Sequence, residues 1–452
     1  MTMAELTSVP ITPAASLQTA SIGELAHHLG ETVALNGWFV SARPTKAIRF
    51  IVVRDRTGTV QAVCRGEDLL HVIDSLTPES AIRVTGIVRE TSTARFGKYE
   101  IAVEDLIVIA RADSPLPVVS KPDSDARLDF RFLDLRSREQ LLIFEIQTAL
   151  EAAMREFLLS QAFIEIHTPK ITGGGSETGA AVFELSYFGA PACLVQSPQF
   201  YMQLAMAAGF DRAFEVGPVF RAEPGITNRH ATEFTCLDIE VSWIESHHQL
   251  MDLEDALLRH ALDRLSTIYG SDIERYYGVN VELPDGPIPR IPLSFARELI
   301  RSSEAETGGA RLTYQDEQVL SKYALEHYGH SFVFVTDYPA HERPFYTMRE
   351  TNEREVAASR SFDLFWRGLE ITSGCQREHR YDRLYQQICE SGIAPAVRER
   401  YLDKCYLEMF KYGCPPHGGL GIGINRLLMV LLGQQSIRDT SFVFRGPGRY
   451  MP

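Results

Sequence analysis

The stretch from Phe214 to Val241, FEVGPVFRAEPGITNRHATEFTCLDIEV, limits what this chain can fold into more than any other. Two runs rich in β-formers, Phe214 to Ala222 and Thr232 to Val241, flank a Pro-Gly turn and a polar loop. That pattern predicts a hairpin with a long connection. Along it lie Arg221, Glu223, Arg229, His230, Glu233, Phe234, Asp238 and Glu240. Side chains alternate across a strand, so Arg221 and Glu223 are expected on one face, and Asp238 and Glu240 on one face. So charged a face cannot be plain core, because an unpaired buried charge costs several kcal/mol. It is either a solvated surface with ion pairs, or a platform on which Arg221, Arg229 and His230 hold a polyanion while Phe234 offers a flat face to a base.

A chain of 452 residues calls for two or more domains. Its longest apolar runs, such as Leu427 to Leu432, are far too short to span a bilayer. Residues 1–20 carry neither a basic nor an apolar leader segment and are expected to be a loose tail. The seven cysteines (Cys64, Cys193, Cys236, Cys375, Cys389, Cys405, Cys414) are scattered, which fits reduced thiols in a cytoplasmic protein. A net charge of −14 argues against non-specific nucleic-acid binding but leaves room for a local basic site.

Ser21 with Glu24 forms a capping-box pattern before a short helix. Five β-rich segments follow: Val33 to Val40, Ile48 to Arg54, Thr59 to Cys64, Ala81 to Val88 and Tyr99 to Ile109. Such spacing predicts a small oligonucleotide-binding (OB) barrel over residues 21–112. Between Val40 and Arg65 stand Arg43, Lys46, Arg49, Arg54, Arg56 and Arg65 against Asp55 alone, with Trp38, Phe39 and Phe50 beside or among them. Basic groups next to exposed aromatics suit single-stranded bases. The plain alternative makes Trp38 and Phe39 barrel core, and one of the two must be, because they face opposite ways. Residues 113–135 contain a Pro-, Ser- and Asp-rich run and are expected to link the barrel to a second domain, 136–452. There, Leu142, Ile146, Leu150, Ala153 and Phe157 recur at helical spacing. The mixed strands and helices that follow, without βαβ alternation, predict an α+β domain on a largely antiparallel sheet.

Further segments carry candidate chemistry. GGGSETGAA is a glycine-rich loop holding Ser176 and Glu177, and QSPQFYMQ places Gln199 and Met202 near a helix start. FDLFWRGLEITSGCQR carries Asp363, Glu370, Ser373 and Arg377. Paired acids beside a triphosphate suit Mg²⁺, which takes one or two carboxylates plus phosphate oxygens. GGLGIGINRLLMVLLG runs from a glycine-rich strand into a helix with Arg426 in its first turn and Gly433 at its end. No Walker loop and no GxSxG elbow is present.

Together these segments resemble the class II aminoacyl-tRNA synthetases. Pro169 in FIEIHTPKI is similar to their first motif, FRAE with RHATEF to the second and GIGINR to the third. RFLDLR, QSPQFY, FVFVTDYPA, RPFYTM, GLEITSG and KYGCPPHGG extend the resemblance, from about Leu35 to Pro452, to the archaeal and eukaryotic aspartyl type. The resemblance implies ATP bent over the sheet, with Arg221 on the α-phosphate and Glu223 on the adenine amine. It also implies the ring between Phe234 and Arg426, and Arg229 and His230 toward the β and γ phosphates. Asp363, Glu370 and Ser373 would place Mg²⁺. The amino acid's ammonium would meet Ser176, Glu177, Gln199 and Asp238, and its side-chain carboxylate Arg377. Trp38, Arg43, Lys46 and Phe50 would hold an anticodon. Partners would be tRNA for aspartate, or for both aspartate and asparagine, and a second copy of the chain. The chain departs from that pattern at Met202, where the aspartate enzymes carry a lysine facing the substrate carboxylate, at Asn425, normally acidic, and at Phe444-Arg445-Gly446, normally Pro-Arg-Asp. Three functions follow: an aspartate–tRNA ligase; a paralogue that adenylates a modified or different amino acid for another acceptor; a non-catalytic RNA-binding regulator.

Overall fold

A computed structural model describes residues 19–92, 96–117, 124–176, 181–225, 227–303, 312–350, 358–393, 395 and 398–451. Two compact units divide the chain, Met1–Leu141 and Leu142–Pro452. No helix among the described residues is long and apolar enough to cross a membrane.

The first unit is a closed five-stranded barrel, ordered β1-β2-β3-β5-β4. Its strands are β1 (Thr32–Pro44), β2 (Ile48–Arg54), β3 (Thr59–Arg65), β4 (Ala81–Glu90) and β5 (Tyr99–Ala110), with helix α1 (Glu67–Asp74) between β3 and β4. All five expected strands are present. Alternation fills the interior with Val33, Leu35, Phe39, Ile51, Val53, Val60, Ile82, Val84 and Ile101. Phe39 is the core aromatic, at 3 % exposure. The capping box opens a 3₁₀ helix, Ile22–His28, in which Glu24 Oε2 accepts from the Ser21 N–H at 3.2 Å. Part of the expected linker is helical: α2 (Ser124–Asp129) and α3 (Arg131–Asp134) lie inside 113–135.

The second unit is built on an eight-stranded sheet, ordered β12-β13-β14-β15-β16-β11-β10-β6. Its strands are β6 (Ile164–Glu165), β10 (Arg212–Phe220), β11 (Glu233–Ser242), β12 (Arg290–Pro292), β13 (Phe332–Thr336), β14 (Ser361–Trp366), β15 (Leu369–Gln376) and β16 (His417–Gly423). The centre is antiparallel, as expected, but both edges are parallel: β12 with β13, and β6 with β10. A small sheet, β7 (Ile171–Thr172), β9 (Ala190–Leu194) and β8 (Glu184–Tyr187), lies apart. One face of the large sheet is apolar. Phe214, Leu237, Ile239, Phe334, Phe362, Leu364, Leu420 and Ile422 form a buried cluster with residues of α4 (Arg138–Ser160), α6 (His248–Tyr277) and α10 (Ile424–Leu431). Gly433, with φ +63°, follows α10 in the left-handed conformation that only glycine adopts without strain.

The other face is polar in its middle and walled at its sides. Near β12 and β13, α7 (Leu293–Ser302) and α8 (Tyr314–Tyr328) pack through Leu293, Ala296, Ile300, Leu320 and Ala324. Opposite, α5 (Gln199–Ala207) packs on β10 and β11, and α9 (Tyr381–Glu390) joins an aromatic cluster of Phe200, Phe345, Tyr346, Tyr406 and Phe410. Between these walls the polar strip is the floor of a cleft.

Candidate active site

Register explains the floor. Directly paired residues of neighbouring strands point to the same face. One row runs Asp363, Ser373, Gly421, Asp238, Glu215 across β14, β15, β16, β11 and β10. Two residues along, a second row runs Ser361, Cys375, Gly419, Glu240, Ala213. The expectation that Asp238 and Glu240 share a face holds. Arg221 and Glu223 instead lie beyond the end of β10 in irregular backbone, where the Arg221 N–H still bonds Thr232 O at 3.0 Å. The glycines of β16 make room for the acids. A methyl on Gly421 would stand 3.1 Å from Asp238 Oδ1, and one on Gly419 would collide with the Glu240 carboxylate and the Ile239 carbonyl.

The cleft encloses about 1090 Å³ including its mouth. It brings together Gln199, Arg221, Glu223, Arg229, His230, Phe234, Asp238, Glu370, Ser373, Arg377 and Arg426 from four separate stretches of chain. Its cations are not equivalent. Arg229 pairs with Glu317 at 2.7 Å. Arg426 donates to the Glu370 carbonyl at 3.1 Å, and its guanidinium lies 3.4 Å from the Glu370 carboxylate. Arg343 pairs with Asp363 at 2.7 Å, and Arg377 with Glu240 at 3.0 Å. Arg221 differs: no side-chain hydrogen bond or ion pair joins it to another described residue, and its buried Nε is unpartnered. Its guanidinium lies 5.6 Å from the centre of the Phe234 ring. A half-buried cation with no direct ion-pair partner among the described residues, set over an aromatic ring, is an anion site in waiting.

The acids are shifted by the low-dielectric walls. Burial pushes Asp238 up to about 7, with Glu215 adding to the rise and a hydrogen bond from Cys236 opposing it. Glu317 is likewise raised by burial to about 7, in spite of Arg229. Glu370 rises through burial and then Asp363, although 37 % of its side chain faces the cleft. His230 goes down, through burial and then Arg426, so its ring is neutral near pH 7; Thr227 Oγ1 sits 2.6 Å from its Nδ1.

Other expected residues are placed differently. Met202 does not line the cleft: it is buried with Ala205, Met206 and Ala213 beneath α5. Asp363 also stands back from the wall, behind Arg343. Ser176 is buried, its N–H donating to Gln196 Oε1 at 3.0 Å, and Glu177 lies outside the described residues. Asn425 is structural, accepting from the Thr235 N–H at 3.2 Å and donating to Thr440 O at 2.9 Å. An acid there would lose that donor. Arg343, Glu317 and the pairing role of Glu240 were not foreseen; Arg343 opens the RPFYTM segment, the one signal that pointed to it.

For Mg²⁺ the donors fit in kind. Asp363 Oδ1 is buried without a partner, Glu370 faces the cleft and Ser373 shares the row with Asp363. Among the described residues no three His, Cys, Asp or Glu cluster as a metal cage. Mg²⁺ needs none, since phosphate oxygens and water complete its shell.

In the barrel, Arg43 and Phe50 are cross-strand partners, the guanidinium 4.9 Å from the ring centre. Arg43 and Lys46 are exposed. Trp38, like Phe50, is half-buried, with Arg136 4.8 Å from its ring centre, so each of these two aromatics carries an arginine over one face. Arg49 and Arg54 are tied to Asp74 and Glu79.

Comparison with known proteins agrees with this geometry. Residues 123–444 match the family described as tRNA synthetases class II (D, K and N), and residues 33–109 match the OB-fold nucleic acid binding domain. The chain is 40% identical over 435 residues to the aspartate–tRNA(Asp/Asn) ligase of Aeropyrum pernix, covering 94% of this chain and 96% of that one. It is 38% identical over 448 residues to the aspartate–tRNA(Asp) ligase of Pyrococcus horikoshii, covering 96% and 100%. The crystal structure of asparaginyl-tRNA synthetase from Pyrococcus horikoshii complexed with asparaginyl-adenylate superposes with a TM-score of 0.87 at 30% identity, covering 97% of this chain and 100% of that one. An OB barrel followed by a walled sheet with these three motifs, matched over nearly its whole length, places the chain in the class II tRNA synthetase family of the aspartate, lysine and asparagine type.

Proposed function

We propose that the chain is an aspartate–tRNA ligase, activating aspartate or a close analogue with ATP and passing the acyl group to tRNA. The observation that carries this reading is Arg221, the unpaired cation over Phe234 on the floor of the cleft. An attacking carboxylate and the α-phosphate place growing negative charge beside it, and a fixed cation costs no reorganisation at that moment. Phe234 and Arg426, both half-buried on the cleft wall, hold the adenine between them, and Glu223 accepts from its amine. Arg229 and neutral His230 serve the outer phosphates. Glu370 and Ser373, with Asp363 behind them, would hold Mg²⁺, which when bound draws charge from the phosphate oxygens. Asp238 and Gln199 receive the ammonium of the amino acid. Catalysis is positioning and charge stabilisation.

The reading extends to a cytoplasmic homodimer. The thiols of Cys64, Cys236, Cys375, Cys389 and Cys414, free among the described residues, support a reducing compartment, and exposed apolar residues at the end of α4, in β6 and in the C-terminal segment (Leu159, Ile164, Phe442) support self-association. The relatives' names support tRNA for aspartate, and for asparagine in some, as the acceptor.

ATP–pyrophosphate exchange with each amino acid tests the proposal. Exchange dependent on aspartate or an analogue of its length is expected; no exchange with any amino acid would sink it. The barrel is tested separately. Phe50→Ala should weaken tRNA use by about 1–3 kcal/mol, the stacking energy of one base, with exchange unchanged. An equal loss in both assays would make Phe50 a packing residue.

A further inference from the structure

The cation at the side-chain end of the cleft is already engaged. Arg377 keeps only 6% of its side chain exposed and Glu240 1%. Arg377 Nε donates to Glu240 Oε1 at 3.0 Å and Nη2 to Glu240 Oε2 at 3.1 Å. The same Nη2 donates to Gln199 Oε1 at 2.7 Å, and Nη1 to Cys375 Sγ at 2.7 Å. A guanidinium has five N–H groups, and a bidentate clamp on a carboxylate needs two on one edge. Glu240 holds one edge, Gln199 takes the remaining N–H of Nη2, and the thiol takes one of Nη1. A single Nη1 N–H is left for a ligand.

The local charges also cancel. Arg377 balances Glu240, Lys170 balances Glu215 at 2.8 Å, and Asp238 adds a third acid toward the ammonium position. The nearest helix brings no charge: Met202, 1% exposed, packs on Ala213, which pairs in register with Glu240. A substrate carboxylate arriving here meets no surplus cation and is desolvated without compensation. A carboxamide of the same length suits the donors better. Its oxygen can take the free Nη1 N–H. Glu240, which accepts from Arg377 twice and from Gln199 Nε2 at 3.1 Å, does not itself line the cleft, so it acts on a ligand only through those two side chains.

We propose that this pocket does not select its amino acid by side-chain charge, and takes an uncharged carboxamide of aspartate's length at least as readily as the carboxylate. The proposal rests on the adenylating function argued above and narrows its substrate class. The Arg377–Glu240–Gln199 network sets this neutrality, and Glu240 is a positioning residue that acts through Arg377.

Pyrophosphate exchange on the full chain, with L-aspartate and L-asparagine compared by kcat/KM at pH 7.5, is the test. Asparagine is expected to be used within about tenfold of aspartate or better. A preference for aspartate above tenfold overturns the proposal. No exchange with either overturns the adenylation reading as well, so the two failures are distinct. Met202→Lys sets an ammonium beside the strand position of Glu240, lets Arg377 swing free, and should shift the ratio at least tenfold toward aspartate. Glu240→Gln removes the competing acid without burying a new charge and should shift the ratio the same way if the lysine variant fails to fold. A folded variant of either kind whose ratio stays at the wild-type value overturns the proposal.

Discussion

Replacing Arg221 by glutamine should lower ATP–pyrophosphate exchange by about 10²–10³-fold while leaving the melting temperature where it is. The size is that of losing one preorganised group aimed at transition-state charge. The unchanged stability is the more diagnostic half. A buried cation removed from an ion pair leaves its partner exposed to a desolvation penalty, but Arg221 has no ion-pair partner among the described residues to abandon. It gives up only the ring of Phe234, a cation–π contact worth about 0.5–1 kcal/mol. Arg221→Lys keeps the charge but loses the planar fork, and most of the activity loss is expected to remain. A melting point that drops in step with activity would show that Arg221 is part of the scaffold.

The second large effect lies on the apolar side of the sheet. Glu254, on α6, is fully buried and both its carboxylate oxygens lack partners. The buried Thr372 hydroxyl is the polar group beside it, too poorly placed for a full hydrogen bond. Burial pushes Glu254 up to about 8, the nearby Asp255 and Asp363 adding to the rise and Thr372 opposing it. Below pH 4.5 the group is protonated whether the chain is folded or not, and contributes no slope. Between 4.5 and 8 the unfolded chain ionises while the folded one keeps its proton, so stability falls as pH rises, by about 1.4 kcal/mol per unit. Glu254→Gln removes the titration and keeps the shape. Its advantage over the wild type should be near zero at pH 5 and grow to about 2–4 kcal/mol at pH 8, read by urea denaturation across that range. Parallel stability curves for the two proteins would show that the carboxyl is ionised inside the fold.

Much of this fold could be read from the sequence because its signals are local. The barrel strands are alternating runs bounded by turns, and the observed bounds differ from the expected ones by at most a few residues. The hairpin and the glycine-rich strand leading into α10 were legible for the same reason. What sequence could not give is who neutralises whom. Arg377 and Glu240 are 137 residues apart, and Arg229 lies 88 residues from Glu317. Only the tertiary fold decides that Arg221 stays unpaired while its neighbours do not. Met202 was expected on the pocket wall because it shares a helix start with Gln199, yet one faces the cleft and the other the sheet beneath. Strand alternation misled in one place: carrying β10 past Phe220 put Arg221 and Glu223 on a common face that the backbone does not supply.

The glycines of β16 have a consequence for how such a pocket can change over generations. Where a cavity is carved by large side chains, a smaller residue widens it and a larger one narrows it, so the floor itself can drift toward new substrates. Here the depth belongs to the main chain. At Gly419 even one added carbon meets a carboxylate and a carbonyl at once, and at Gly421 it presses on Asp238. Ordinary substitution therefore cannot tune the base of the site in small steps. Divergence in what is accepted must enter through the walls, at the α5 position carrying Gln199 and at the β15 end carrying Cys375 and Arg377. Those are positions where one exchange alters charge or reach while the strand beneath keeps its register.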